Sequence, residues 1–200
     1  ESEARIREIS ESLGDGVIVV DPDGTISFMN RRAEQLLGWK EAELLGKNSH
    51  ENLHYMTPDG KRIPIDACLV HRAIRTGEEA RSTLDYFVRK DKSVFPVSLV
   101  ATPMFREGAA KGSVVAFQDI TEQLKSEEII RESEKRFRLL FNSGSDAILV
   151  HAILPDGHPG NFIEVNDVAC QRLGYTREEL LQMSPEDIDA PEHGRADDPE

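Results

Sequence analysis

The sequence predicts an α+β fold, an antiparallel sheet with helices on one face, followed by a long helix and the start of a second, related unit. Three observations predict it. Two short β-rich runs, several small helices and three long strand-like runs succeed one another over about residues 12–121. A charged stretch without Pro or Gly follows, DITEQLKSEEIIRESEKRFRLLF. The opening pattern then returns.

The first segment, ESEARIREISESL, spaces Ile6, Ile9 and Leu13 by three and four residues with charges between them, which predicts a short amphipathic helix. GVIVVD and TISFMN flank Pro22-Asp23-Gly24, the signature of a tight β-hairpin. Asn30 ends the second strand and is placed to cap the helix RRAEQLLGW, which Gly38 closes. KEAELLG predicts a further short helix ending at Gly46, and IDACLVHRAIRTG one stopped by Gly77. The strand-like runs are ARSTLDYFVRKD, SVFPVSLVATPMF and GSVVAFQDIT. A turn at Lys90-Asp91-Lys92 joins the first two, and Glu107-Gly108 opens the loop before the third.

The charged stretch is predicted as one helix. Asp119 and Glu122 have the spacing of a capping box at its start. Ile130, Phe137 and Leu140 form a partial heptad, weakened by Ser126 and Ser133, so the helix is read as a marginal coiled coil. Past Asn142-Ser143-Gly144 come DAILVH, a Pro155-Asp156-Gly157 turn, FIEVN, VACQRLGY and TREELLQ. In this repeat Asp146 stands for Asp15, Asn166 for Asn30, and Gly174-Tyr175 for Gly38-Trp39. The copy stops before the three late strands, so its strand faces are expected to be incompletely covered unless another chain covers them. The expected division is an N-terminal helix at 1–13, a first domain at 14–121, a linker helix at 122–141 and the beginning of a second domain at 142–200.

Composition narrows the function. Lys and Arg total 24 against 37 Asp and Glu, a formal charge of −13, which repels a phosphate backbone and argues against nucleic acid. No apolar run reaches the length of a membrane span and the N-terminus lacks the order of a signal peptide, so a soluble, cytoplasmic segment without membrane contact is expected. Two cysteines, Cys68 and Cys170, provide no disulfide framework. There is no Gly-x-Ser-x-Gly elbow, phosphate-cradling loop or His-Glu-x-x-His helix, and the acidic runs read as solvated helix faces, so this segment is not expected to be an enzyme.

The runs GVIVVDPDGTISFMN, LLGWKEAELLGK, RKDKSVFPVSL and VVAFQDITEQ, in this order and spacing, resemble the PAS family over nearly the whole chain. The resemblance implies a five-stranded antiparallel sheet with flanking helices around a cavity, a linker helix, and a partial second PAS domain. It implies a sensory role upstream of an output domain in the same chain, a histidine kinase first and a cyclic-dinucleotide enzyme second. The alternative is a ligand-free module that dimerises the parent through its helical segments. Asp119, Ile120 and Thr121 resemble the signature that joins PAS cores to output helices, and are expected to transmit the signal.

The stretch HENLHYMTPDGKRIPIDACLVH concentrates the candidate ligands. Light-sensing PAS members carry Gly-x-Asn-Cys-Arg-Phe-Leu-Gln, whose cysteine bonds to flavin; here Ser49 stands in that place within Gly46–Leu53. On that resemblance a photochemical flavin adduct is excluded and flavin loses most of its support. The haem-ligand position of the family, counted back from Thr76-Gly77-Glu78, falls at about Asp66, with His71 some 140° further round the helix, so haem is not expected. His50 with His54, and Cys68 with His71, have spacings that share a helical face and are candidate metal ligands. The 13 intervening residues carry a Pro58-Asp59-Gly60 turn and match no recognised finger, so no metal is expected. Cys68 is read as a small buried hydrophobe and the histidines as exposed or hydrogen-bonded loop residues. An unidentified small apolar or anionic ligand in a cavity lined by Val70 and Ile74 is the remaining cofactor reading.

Overall fold

A computed structural model describes residues 14–106 and 109–188. The helix predicted at residues 1–13 and the Glu107-Gly108 loop lie outside the described residues. The chain divides into two compact units, Glu1–Ser126 and Glu127–Glu200.

The first unit begins with strands β1 (Gly16–Val20) and β2 (Ile26–Met29), an antiparallel hairpin that pairs Ile18 with Met29. Its Pro22-Asp23-Gly24 turn needs Gly24 at φ +87, a conformation that side chains with a Cβ resist. Helices α1 (Arg31–Leu37), α2 (Glu41–Leu44), α3 (Ser49–Leu53) and α4 (Leu69–Thr76) follow, with a single 3-10 turn at Ile65–Ala67. Three long strands complete the unit, β3 (Ala80–Val88), β4 (Val94–Arg106) and β5 (Ala109–Asp119). The sheet is antiparallel in the order β2-β1-β5-β4-β3, so β5 enters beside β1 and closes it into one layer.

One face of this sheet is apolar by strict alternation. Phe95, Val97, Leu99 and Ala101 of β4, and Val115 and Phe117 of β5, point into the core. Leu37, Leu44, Leu53 and Val70 come down on that face from the four helices. Each such side chain contributes about 1.5–3 kcal/mol of apolar burial. Asn30, 1% exposed, fastens the first helix to the hairpin: its Oδ1 accepts from Ala33 N at 2.8 Å and Val17 N at 2.9 Å, and its Nδ2 donates to the Asp15 carbonyl at 3.0 Å.

Two local expectations are corrected. IDACLVHRAIRTG is not one helix: the 3-10 turn ends at Cys68, whose ψ of 121° is extended, and α4 restarts at Leu69. The break turns the Cys68 side chain into the core and leaves Ile65 and Asp66 exposed. The start of the next helix, α5 (Thr121–Ser143), is held by Asp119 but not by the predicted reciprocal box, since Glu122 pairs with Lys125 at 2.9 Å.

The second unit carries strands β6 (Leu149–Ile153) and β7 (Pro159–Val165), paired antiparallel, then α6 (Asp167–Leu173), α7 (Arg177–Leu180) and α8 (Pro185–Ile188). Asn166 repeats the work of Asn30, accepting from Ala169 N at 2.8 Å and Ile148 N at 2.9 Å. Phe162, Val165, Ala169 and Leu180 form its small core, while Ile153 and Ile163 are exposed at 76% and 59%.

Candidate functional site

Two constellations in the first unit carry chemistry. One is internal. Asn48 caps α3 by accepting from Glu51 N at 3.2 Å, and the following turn sets His50 and His54 one above the other. The break before α4 brings Cys68 to the same place. His50, His54 and Cys68 are 7%, 4% and 1% exposed, and one ligand atom from each lies within 4.8 Å of the other two. The expectation of exposed or hydrogen-bonded loop histidines therefore fails for His50, buried within α3, while His54 lies just past its end with a hydrogen-bond partner. His71 stands beside them, its ring centroid 6.1 Å from that of His50 and its Nε2 buried without a partner.

A carboxylate completes the group. His54 Nε2 meets Asp85 Oδ1 at 2.8 Å, and Asp85 stands where a bulge in β3, between Ser82 and Asp85, shifts the register against β4. Burial opposes the charge on His54, but Asp85 and Cys68, both hydrogen-bonded to it, outweigh burial and lift its pKa to about 9. Burial pushes His50 below the ordinary histidine value, with help from His54 and His71, and burial does the same to His71.

Val70 lines a small cavity with His50, His54, Cys68, Ile18 and Phe87, which leaves about 10 Å³ for the centre of a water-sized species. Ile74 lies elsewhere, in an open recess of about 320 Å³ that it shares with His71, Pro22 and Arg72. The two residues expected to line one cavity thus line two. Asp66 sits in the exposed 3-10 turn, 3.6 Å from Arg75.

The other constellation is the exit of the sheet. Asp119 Oδ1 accepts from the Thr121 backbone N–H at 2.9 Å and from its hydroxyl at 2.5 Å, and Asp119 Oδ2 receives Arg89 Nη2 at 2.7 Å. Arg89 also donates Nε to the Leu36 carbonyl at 2.9 Å and lies 3.7 Å over the Phe95 ring. Ile120 is buried, and its N–H donates to the Pro96 carbonyl at 3.2 Å. Asp119, Ile120 and Thr121 all sit at this junction. Sequence reasoning missed Asp85 and Arg89; the signal available was a charge inside the β-rich run ARSTLDYFVRKD and another at its end, which alternation alone leaves unexplained.

A family described as PAS fold matches residues 4–120, and one described as PAS domain matches residues 135–199. The chain is 26% identical over 130 residues to the methyl sulfide methyltransferase-associated sensor of Methanosarcina acetivorans, a match covering 64% of this chain and 12% of that protein. It is 28% identical over 151 residues to the probable diguanylate cyclase DgcE of Escherichia coli, covering 74% and 12%. It is 26% identical over 133 residues to sensor protein FixL of Bradyrhizobium diazoefficiens, covering 65% and 25%. The chain thus spans a quarter or less of the length of these curated relatives. Among solved structures, an RNA-binding light-oxygen-voltage receptor superposes with a TM-score of 0.52 at 20% identity, covering 66% of this chain and 36% of its own. The light-oxygen-voltage protein of Rhodobacter sphaeroides gives 0.51 at 18%, covering 64% and 72%.

These neighbours overturn the cofactor expectation. The chain shares its fold with light-oxygen-voltage proteins, so the exclusion of a photochemical flavin adduct and the discounting of flavin, drawn from Ser49, are withdrawn. The expectation against haem goes with it, because the position counted to Asp66 assumed a helix that begins only at Leu69. The family match over residues 4–120 takes in more than half of the sequence, and on that ground the chain belongs to the PAS family, with a second, shorter PAS-like segment behind the first.

Proposed function

We propose that the first PAS unit detects a small ligand or a redox cue and passes the state of its sheet through α5 to an output domain of the parent protein, a two-component histidine kinase. In this reading the segment itself performs no catalysis, works in the cytoplasm and acts as a homodimer. The observation that carries it is the Asp119 carboxylate, shared between Arg89 and the first turn of α5. Arg89 is in turn tied to α1 through Leu36 and to β4 through Phe95, so a shift of helix against sheet changes the hold on the start of α5. A junction of a few charge-assisted bonds can sit between two arrangements a few kcal/mol apart, which a ligand with differential affinity biases. The test is Asp119→Ala in the full-length parent. Basal autophosphorylation is expected to move by roughly 5-fold or more, the scale of an allosteric coupling, with the Trp39 fluorescence of the same variant of the 200-residue chain unchanged. An unaltered rate would remove the junction from the signal path.

A second reading, a ligand-free dimerisation module, is favoured by Ile129, Ile130, Phe137, Leu139 and Leu140, all more than half exposed on α5. Both readings require a dimer, so the response of the output to added ligand separates them. A monomer under all conditions by sedimentation would end both, and a tight dimer whose output never responds to any added metabolite would end the first alone.

A further inference from the structure

We propose that His50, His54 and Cys68 form a mononuclear site for a borderline transition-metal ion of the zinc or cobalt type, held by two imidazole nitrogens and a thiolate. The inference goes beyond the sensory reading and stands without it.

The donor set is the first argument. Two histidines from one helical turn and a cysteine from a separate segment, all buried, bring N, N and S atoms within 4.8 Å of one another. Ligand bonds of about 2.0–2.1 Å to nitrogen and about 2.3 Å to sulfur place tetrahedral donors some 3.3–3.6 Å apart. Closing the present arrangement therefore takes movements on the order of 1 Å, within the reach of side-chain adjustment. An N,N,S set suits zinc and its spectroscopic substitute cobalt, and suits magnesium or calcium poorly.

The outer contacts of the two histidines are the second argument. A metal-bound imidazole characteristically donates its other ring N–H to a carboxylate or a carbonyl. His54 meets Asp85 through Nε2, which leaves Nδ1 facing the cluster. His50 Nδ1 is buried without a partner among the described residues, and the ring lines the same small cavity as His54 and Cys68. His54 thus carries the outer carboxylate contact of a ligand, and His50 offers a buried nitrogen that has no other use.

Unsatisfied polarity is the third argument, independent of the other two. Four buried side-chain atoms lack a partner among the described residues, and three of them belong to Ser49, His50 and His71. Leaving such a group unpaired costs about 1–3 kcal/mol each, and the Ser49 and His50 atoms, which line one cavity, together call for a polar occupant. Ser49 and His50 line the 10 Å³ cavity, which has room for one ion-bound water and no more. An ion on His50 Nδ1 carrying that water in its fourth position satisfies the His50 nitrogen directly and gives the Ser49 hydroxyl a partner. A buried ion pair of His54 with Asp85 accounts for His54 alone and leaves His50 and Ser49 stranded. Entry is open on the His50 side, where an outer recess of about 670 Å³ is lined by His50, Glu51, Tyr55, Arg62, Ile63 and Lys92. Binding releases the proton of the Cys68 thiol and one from the His54 ring to solvent, since the ligands coordinate as thiolate and neutral imidazole.

The experiment uses the untagged 200-residue chain, stripped with chelator and titrated with Co²⁺. One equivalent is expected to bind with a thiolate-to-cobalt charge-transfer band and visible bands of tetrahedral intensity, all removed by Zn²⁺. Cys68→Ser is expected to lose the charge-transfer band, and Asp85→Asn to weaken binding roughly 10- to 100-fold. His50→Leu deletes a partnerless buried nitrogen and is expected to fold at least as well as the parent, judged by Trp39 emission, while losing stoichiometric uptake. This variant keeps the test decisive if Cys68→Ser does not fold. Absence of a stoichiometric complex, a charge-transfer band that survives in folded Cys68→Ser, or undiminished uptake by His50→Leu would each overturn the proposal.

Discussion

Replacing Asn30 by Ala tests whether the fold depends on a single amide at the hairpin and helix junction. The substitution removes a helix cap, Oδ1 to Ala33 N at 2.8 Å, which costs about 1 kcal/mol. It also strands the buried Val17 N–H, which donates to Asn30 Oδ1 at 2.9 Å, for a further 1–3 kcal/mol or so. The expected loss is therefore about 2–4 kcal/mol, a large part of the stability of an ordinary domain. Trp39 is the one tryptophan of the chain and packs against the first core, so its fluorescence follows that unit without interference from the second. With a guanidinium slope of about 3 kcal/mol per molar, the unfolding midpoint falls by roughly 1 M at unchanged slope. Asn30→Ser supplies a capping oxygen but no arm for Asp15, and is expected to recover only the capping part. A midpoint shift below roughly 0.3 M for Asn30→Ala would refute the reasoning, because the orphaned donor alone exceeds it.

Gly16→Ala places a Cβ 2.5 Å from the Phe117 ring, which Phe87 hems in at 5.0 Å between centroids; overpacking is expected to cost about 1–3 kcal/mol in the same Trp39 assay. Glu34 accepts from Glu41 N at 2.8 Å and from Lys40 Nζ at 3.2 Å, and the first of these does most to hold its carboxyl below 4.5. A depressed folded pKa stabilises the fold above the ordinary value and loses that contribution as pH falls through the lower one. Glu34→Gln is therefore expected to be less stable than the parent at neutral pH, with the gap narrowing on acidification below 4.5; a gap that widened would contradict the assignment.

What the sequence made legible was local. The Pro22-Asp23-Gly24 turn, the Asn30 cap, the left-handed stops at Gly38 and Gly77 and the long helix all rest on residues within a few positions of one another. The repeat at Asn166 was readable for the same reason. Pairings that depend on strand register were not. His54 meets Asp85 across 31 positions and Arg89 meets Asp119 across 30, and no local periodicity encodes either. The helix across Ile65–Cys68 was overread because its composition is helical, while burial of Cys68 favours an extended backbone at that residue. Without that break the convergence of Cys68 with His50 and His54 could not be foreseen, and the cluster looked like scattered ligands.

The bond from Ile120 N to the Pro96 carbonyl is one rung beyond the last pair of the β4–β5 ladder, Val97 with Asp119, and α5 begins at the very next residue. No spacer separates ribbon from rod, so the angular phase of the rod is dictated by the ribbon. One residue added there turns the first turn of the rod by roughly 100° and shifts it by about 1.5 Å, whereas seven added residues return it to within about 20° of its starting phase. The zero of that phase is cut into the sheet.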